Sequence, residues 1–152
     1  MTPANAVREA EEFFHRRIPL TRTMEVHVIS TDETGFAVEA PVRPNHNHLE
    51  TAFGGSINAV ATLAGYGLLW LELREETAEV VIRESSIRFL QPIRETIHAV
   101  CERPDAEELR NFKIAFRAKG KARIALRVQV LENEELAAEF KGTFVALRRL
   151  DS

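Results

Sequence analysis

The feature that most constrains this chain is an uncharged, largely apolar stretch that runs from Thr51 to Leu71. It approaches the length of a membrane-spanning helix, but it contains polar side chains at 51, 56, 58 and 62 and glycines at 54, 55, 65 and 67. A single span with so many polar and small groups would be poor in lipid. We therefore interpret the stretch as a helix that is buried on nearly all sides inside a folded domain.

The remaining segments predict the sheet that buries this helix. Apolar and polar residues alternate on both sides of two turns, at 31–35 and 132–134, and this pattern is typical of hairpins. Gly65 and Gly67 would let strands approach the helix backbone closely. The order of elements predicts a single α+β domain over residues 1–152, in which a largely antiparallel, curved sheet of about six strands wraps around one long central helix. That is the hot-dog arrangement.

One predicted strand, residues 79–90, changes its apolar phase part-way. Val80 and Ile82 share one parity, whereas Ile87 and Phe89 share the other. Because successive side chains point to opposite faces, one extra residue is needed to keep both pairs on the same face. A β-bulge is therefore expected near residues 84–86.

Charge and cysteine content exclude several functions. The net charge of -3 gives no reason to expect binding to nucleic acid or to an anionic membrane surface. The single cysteine, Cys101, cannot form an internal disulfide and indicates a reducing compartment. Residues 1–5 lack the basic and apolar regions of a signal peptide. We expect a cytoplasmic protein without nucleic-acid or membrane partners.

A loop rich in polar and titratable side chains stands immediately before the apolar helix, with the sequence Asn45-His46-Asn47-His48-Leu49-Glu50-Thr51-Ala52-Phe53-Gly54-Gly55-Ser56. A Gly-Gly entry into a helix leaves free backbone N–H groups in front of the positive end of the helix dipole. Such groups bind anions and stabilise a developing oxyanion. A polar loop that merely turns into a core helix would show the same residues, and a lone Gly-Gly pair does not decide between the two interpretations.

Four segments in this order resemble the hot-dog thioesterase superfamily, from about residue 18 to the end of the chain. The likeness is closest to the thioesterase domain that also occurs fused behind GNAT acetyltransferase domains. The resemblance implies the hot-dog fold and hydrolysis of an acyl thioester without a cofactor. The segments are Ile18-Pro19-Leu20, Asn45-x-Asn47-x-x-x-Thr51-Ala52-Phe53-Gly54-Gly55-Ser56, Ser86-Ile87-Arg88-Phe89-Leu90-x-Pro92 and Gly120-Lys121-Ala122-Arg123.

The resemblance also shows where this chain departs from the superfamily. In the acyl-CoA thioesterase branch, an Asn precedes a His-Gly-Gly helix entry, and a carboxylate lies about two turns into the helix. Aligned on the glycine pair, Asn47 matches that Asn, and Gly54 matches the glycine whose N–H polarises the thioester carbonyl. Phe53 replaces the His, and Thr62 replaces the carboxylate. Two functions therefore stay open: hydrolysis by water activated elsewhere, or a non-catalytic acyl-binding module that has lost the acid.

The loop offers replacements for the missing base. His48 or Glu50 would activate water, unless both are simply solvated. Ser56 would contact substrate or cap the helix, Thr62 would position water or be a satisfied core hydroxyl, and Ser86 would face the pocket or mark the bulge. The predicted catalytic residues are Asn47, His48, Glu50, Gly54, Gly55 and Thr62, and the predicted substrate-binding residues are Phe53, Ser56, Asn58 and Ser86.

The expected partners are an acyl-CoA or another acyl thioester, together with further copies of the chain in a homodimer or homotetramer that covers the mouth of the helix and the strand edges. A dehydratase or hydratase is disfavoured, because the His in a Pro-Gly context that is typical of such enzymes is absent. His46, His48 and Glu50 would share one face of an extended segment, but the sequence shows no further His or Cys cluster, and no metal is predicted. The cluster Arg117, Lys119, Lys121 and Arg123 either meets coenzyme A phosphates or is a solvated strand edge.

Overall fold

A computed structural model describes residues 2–150, so Met1, Asp151 and Ser152 of the predicted domain lie outside the described residues. Six strands in this range form one antiparallel sheet in the order β1-β2-β4-β5-β6-β3. The predicted α+β architecture is confirmed. The elements are α1 (Pro3–Arg17), α2 (Leu20–Thr23), β1 (His27–Thr31), β2 (Gly35–Pro41), a 3-10 turn (Arg43–Asn45), α3 (Gly54–Leu73), β3 (Ala78–Phe89), β4 (Thr96–Glu102), α4 (Ala106–Lys119), β5 (Lys121–Glu132) and β6 (Glu135–Arg148).

The long apolar helix α3 is the centre of the fold. It packs against strands β2 to β6, and its apolar side chains form the core together with the inward residues of the sheet. α3 is long and apolar enough to cross a membrane by length and composition alone. In this structure it is the largely buried core helix against which the sheet packs. Only one side of α3 is half exposed, and this side includes Asn58, Thr62 and Tyr66.

Two glycines set the distance between α3 and the sheet. A Cβ atom at Gly65 would lie 2.6 Å from the ring of Phe144 on β6, and one at Gly67 would overlap the ring of Phe36 on β2. Both rings are completely buried. The expectation that these glycines permit a close approach is therefore confirmed, and the groups that approach are phenyl rings of the strands.

The edge strand β3 contains the expected bulge. Its register with β6 shifts between Ile82 and Glu84, so the extra residue is Arg83, just before the predicted 84–86. Val80, Ile82, Ile87 and Phe89 consequently all pair with buried residues of β6 and face α3. Within residues 2–150, β3 pairs with β6 alone, which leaves its other edge free.

The ends of α4 lie at residue types that favour helix ends, whereas the sequence shows no signal for α2. The Asp105 side chain accepts a hydrogen bond from the Glu107 N–H at 3.1 Å, and Gly120 ends the helix with a left-handed φ of 70°. Asp is a favoured N-cap residue and Gly is favoured where a helix ends in a left-handed residue, so residue type accounts for both ends. The one-turn helix α2 was not anticipated, because four residues are too few to show an apolar periodicity.

We expect Gly67→Ala to lower the free energy of unfolding by about 1–3 kcal/mol, the usual cost of an overpacked core. Alanine favours a helix by about 1 kcal/mol over glycine, so a net loss reports the collision with Phe36. Denaturant unfolding measures this loss. The double variant Gly67→Ala/Phe36→Leu should be less destabilised than the sum of its single changes. A Gly67→Ala protein as stable as wild type would contradict the packing described here.

Candidate functional site

The first turn of α3, residues 53–56, is called here the helix mouth. Phe53 is the N-cap residue, with φ -66° and ψ 133°, and its side chain makes no capping hydrogen bond. The N–H groups of Ser56 and Ile57 donate to the Phe53 carbonyl at 2.9 and 3.0 Å. Ser56 is therefore not the cap. Among residues 2–150, the N–H groups of Gly54 and Gly55 find no acceptor, so two free donors stand at the positive end of a 20-residue helix.

Two phenyl rings border these donors. A Cβ atom at Gly55 would overlap the ring of Phe53, and one at Gly54 would lie 3.3 Å from the ring of Phe89. The rings are 55% and 53% exposed, so the helix mouth has an apolar rim that is open to solvent. Phe89 belongs to the segment Ser86-Ile87-Arg88-Phe89, which carries part of the family resemblance. The glycines leave room for both rings.

Asn47 organises the loop that leads into the helix mouth. Its Oδ1 accepts from the N–H groups of Leu49 at 2.8 Å and Thr51 at 3.2 Å, and its Nδ2 donates to the Thr51 hydroxyl at 3.0 Å. The loop is then anchored by the Phe53 N–H, which donates to the Asn45 carbonyl at 2.8 Å. Its polar atoms are engaged within the loop, so Asn47 holds in place the segment that leads to the glycines.

The two base candidates lie at the tip of the same loop. His48 and Glu50 are both exposed, and Glu50 adopts a left-handed φ of 63°. His46 is also exposed, and its Nδ1 lies 2.8 Å from the Asn47 carbonyl oxygen. Within residues 2–150, no three His, Cys, Asp or Glu side chains are grouped so that they could hold a metal ion.

Asn58 and Thr62 continue the helix mouth along the half-exposed side of α3. They follow Gly54 at intervals of four residues, so all three lie on one side of the helix. The Thr62 hydroxyl donates to the Asn58 carbonyl at 2.8 Å, so its donor is satisfied within the helix. The Asn58 Oδ1 is buried and has no hydrogen-bond partner among the described residues. An unsatisfied buried acceptor costs about 1–3 kcal/mol, so a water or ligand donor would stabilise this position.

Ser86 is the one predicted site residue that the fold directs elsewhere. It pairs in register with the exposed Lys141, on the face of the sheet opposite α3. Its neighbour Ser85 pairs with the buried Gly142 and faces the helix. Ser86 is therefore not brought together with the helix mouth, and the serine on the correct face is Ser85.

A large opening into the fold beside α3 lies away from the helix mouth. A cleft of about 500 Å³ lies toward the other end of the helix, where Tyr66 and Trp70 meet the start of β3. Phe13 on α1 completes its aromatic wall, and arginines and glutamates surround the opening. Tyr66 lies three turns beyond Gly55, an axial distance of about 16 Å at 1.5 Å per residue. The free amide donors and the cleft thus lie at different places along the same helix.

Residues 7–148 match the family described as "Putative thioesterase (yiiD_Cterm)". A solved structure of a protein of unknown function from Chlorobaculum tepidum TLS is 32% identical with a TM-score of 0.89, and the match covers 97% of this chain and 98% of that chain. A structure named as the putative thioesterase from Shewanella oneidensis is 27% identical with a TM-score of 0.82, over 95% and 99% of the two chains.

A third structure, called a probable thioesterase from Pseudomonas aeruginosa, is 20% identical with a TM-score of 0.80, over 93% of this chain and 95% of that chain. At this identity the likeness concerns the fold alone. The similarities agree with the antiparallel sheet curled around α3, which is the hot-dog fold of thioesterases. The match over nearly the whole chain shows that this protein belongs to the YiiD_C thioesterase family.

Proposed function

We propose that the protein hydrolyses an acyl thioester, with acyl-CoA as the substrate, at the helix mouth. The observation that supports this proposal is the pair of free N–H groups of Gly54 and Gly55 at the positive end of α3. When water attacks a thioester, the carbonyl oxygen becomes an oxyanion, and two preorganised amide donors would stabilise it. Membership of a family described as thioesterases favours the same reaction.

In this proposal the attacking water binds beside the donors. The unpartnered Oδ1 of Asn58, one turn beyond Gly54, would accept a hydrogen bond from this water, which keeps that proton, and the oxygen of Thr62 would contact it from the next turn. The water oxygen then bonds to the carbonyl carbon, its second proton passes to a base, and the carbon–sulfur bond breaks. The products are a carboxylic acid and a free thiol, which takes up the proton.

The base comes from the loop in this proposal, because α3 has no carboxylate between Gly54 and Leu71. Glu50 and His48 are the two candidates, and the loop between Asn47 and Phe53 connects both to the helix mouth. Phe53 and Phe89 would exclude bulk water from the carbonyl, and Ser56 would contact the acyl group. Thr62 in place of a carboxylate supports the alternative function, an acyl-binding module without hydrolysis. The likeness to a domain fused behind GNAT acetyltransferases stays a prediction.

A homodimer is proposed to complete the site. The free edge of β3 exposes backbone hydrogen-bonding groups and four apolar side chains, at Val81, Ile82, Phe89 and Leu90. An edge of this kind pairs readily with another strand, and a second copy of β3 would cover both features. Sedimentation equilibrium should give a mass of at least two chains of 17.2 kDa, and a monomer at micromolar concentration would contradict the proposal.

The central test removes one amide donor and little else. Proline is favoured at the first helical position, and the extended ψ of Phe53 suits a following proline, so Gly54→Pro should fold. We expect its kcat to fall by roughly 10²–10³-fold, the usual effect of losing an oxyanion donor. Free-thiol release from short, medium and aromatic acyl-CoAs measures this change.

Gly54→Ala is the matched control, because it adds a Cβ atom near Phe89 but retains the N–H. Equal activity of the proline and alanine variants would show that the Gly54 N–H does not contribute to catalysis. In the same assay, Glu50→Gln or His48→Gln should abolish turnover, according to which residue is the base. Glu134→Gln alters another exposed glutamate with a left-handed φ and should have no effect. Binding of acyl-CoA without turnover of any member of the panel would favour the acyl-binding module.

Asn58→Leu separates function from stability. Replacement of an amide whose buried oxygen has no partner by an apolar side chain should leave the melting temperature unchanged or raise it, because no side-chain hydrogen bond within residues 2–150 is lost. The same change should lower kcat, since the water loses its acceptor. Calorimetry and the thiol assay measure the two effects. A destabilised variant with wild-type kcat would show that Asn58 has only a structural role.

A further inference from the structure

The cleft toward the end of α3 has the size and apolar wall of a ligand site. Its volume of about 500 Å³ falls within the usual range for small-molecule pockets, about 300–1,000 Å³. The rings of Phe13 and Trp70 are stacked with their centroids 4.6 Å apart, and Tyr66 lies 6.1 Å from Phe13. We call the site formed by Phe13, Arg16, Arg17, Tyr66 and Trp70 the arginine–aromatic cleft.

The unpaired charges at this cleft are predominantly positive. Three of its four glutamates already bind arginines, in the pairs Glu9–Arg74 at 2.9 Å, Glu79–Arg149 at 3.4 Å and Glu75–Arg148 at 2.9 Å. Arg16 and Arg17 are exposed at the end of α1 and have no ion-pair partner within residues 2–150. Only the exposed Glu76 opposes them. Two free guanidinium groups at the rim of an apolar pocket match a phosphorylated ligand with a planar ring.

Tyr66 adds a neutral donor next to these arginines. Burial raises the pKa of its phenol, while the charge of Arg17 partly opposes the rise. The phenol is therefore protonated at neutral pH and able to donate a hydrogen bond to a phosphate oxygen.

The distance between the cleft and the helix mouth fits the length of one molecule. The half-exposed side of α3 carries the short side chains Ala59 and Thr62 between Gly55 and Tyr66, over about 16 Å. The inward face of β3 runs beside this side, from Val80 at the cleft to Phe89 at the helix mouth. The arm that joins the pyrophosphate of coenzyme A to its sulfur contains about thirteen bonds. It spans roughly 15 Å when extended, since three backbone bonds span about 3.5 Å.

We propose that the arginine–aromatic cleft binds the 3′-phosphorylated ADP group of coenzyme A, with the pantetheine arm along α3 and the thioester at Gly54 and Gly55. The proposal rests on the proposed function. It identifies free coenzyme A, and not an acyl carrier protein, as the group that carries the acyl chain. Arg16 and Arg17 contact the phosphates, Tyr66 donates to them, and the adenine ring lies against the aromatic wall.

Binding can be measured without turnover, because Trp70 is the only tryptophan of the chain and lines the cleft. Adenosine 3′,5′-bisphosphate and coenzyme A should change its fluorescence saturably. The double variant Arg16→Gln/Arg17→Gln should raise both dissociation constants about tenfold or more through loss of charge-assisted phosphate contacts. Arg8→Gln, on the same helix but not in the cleft, should behave as wild type.

Kinetics then separate this proposal from the proposed function. The double arginine variant should raise KM for an acyl-CoA about tenfold with kcat unchanged, and KM for the same acyl group on pantetheine should not change. Equal KM values of wild type for both substrates, or loss of nucleotide binding only on mutation of Lys121 and Arg123, would overturn the nucleotide site. A fluorescence change without hydrolysis of either thioester would instead retain the nucleotide site and reject the hydrolytic function.

Discussion

The contact between the glycines of α3 and the phenyl rings of the sheet is the constraint on which the rest of this structure depends. Because Phe144 and Phe36 lie directly against Gly65 and Gly67, the helix cannot rotate or move outward without opening the core. The position of its middle then determines the position of both ends. One end presents the Gly54 and Gly55 amides beside Phe89, and the other brings Trp70 against α1. A tightly packed core thus supplies the rigid support that catalytic donors require.

The proposed chemistry uses groups that the fold leaves unsatisfied. Most helices in proteins gain stability from a side chain at the N-cap, but Phe53 offers none, and the Asn58 amide oxygen is buried without a partner. Both features cost stability in the free protein. The loop compensates in part through Asn47 and Asn45, whose hydrogen bonds make the entry to the helix well defined. An ordered loop next to unpaired polar groups is what a preorganised site for an oxyanion needs.

Local patterns predicted most of the fold, and non-local contacts account for what they missed. Helix α3, the caps at Asp105 and Gly120, and the close approach at Gly65 and Gly67 all follow from spacing and residue type. Ser86 shows the limit: the phase change requires a bulge but does not say at which residue, and a bulge at Arg83 turns Ser86 away from the helix. The ring of Phe89 above Gly54 and the cleft between α1 and α3 join segments that are distant along the chain. Their positions depend on the tertiary packing, so periodicity could not predict them.

The bulge at Arg83 has a consequence for how this protein can change in evolution. The residues of β3 that face α3 have even numbers before the bulge and odd numbers after it. The bulge at this single extra residue keeps both halves of the strand facing the helix correctly. Insertion of one further residue beside it, without a second bulge, would exchange the inner and outer faces of one half, and with them Ser85 for Ser86 and Phe89 for Arg88, whereas deletion of Arg83 would leave the same residues facing the helix. Substitutions can accumulate along this strand one at a time, whereas an inserted residue would displace the side chains at the rim of the site. The length of this edge strand therefore matters as much as its sequence in deciding which side chains face α3.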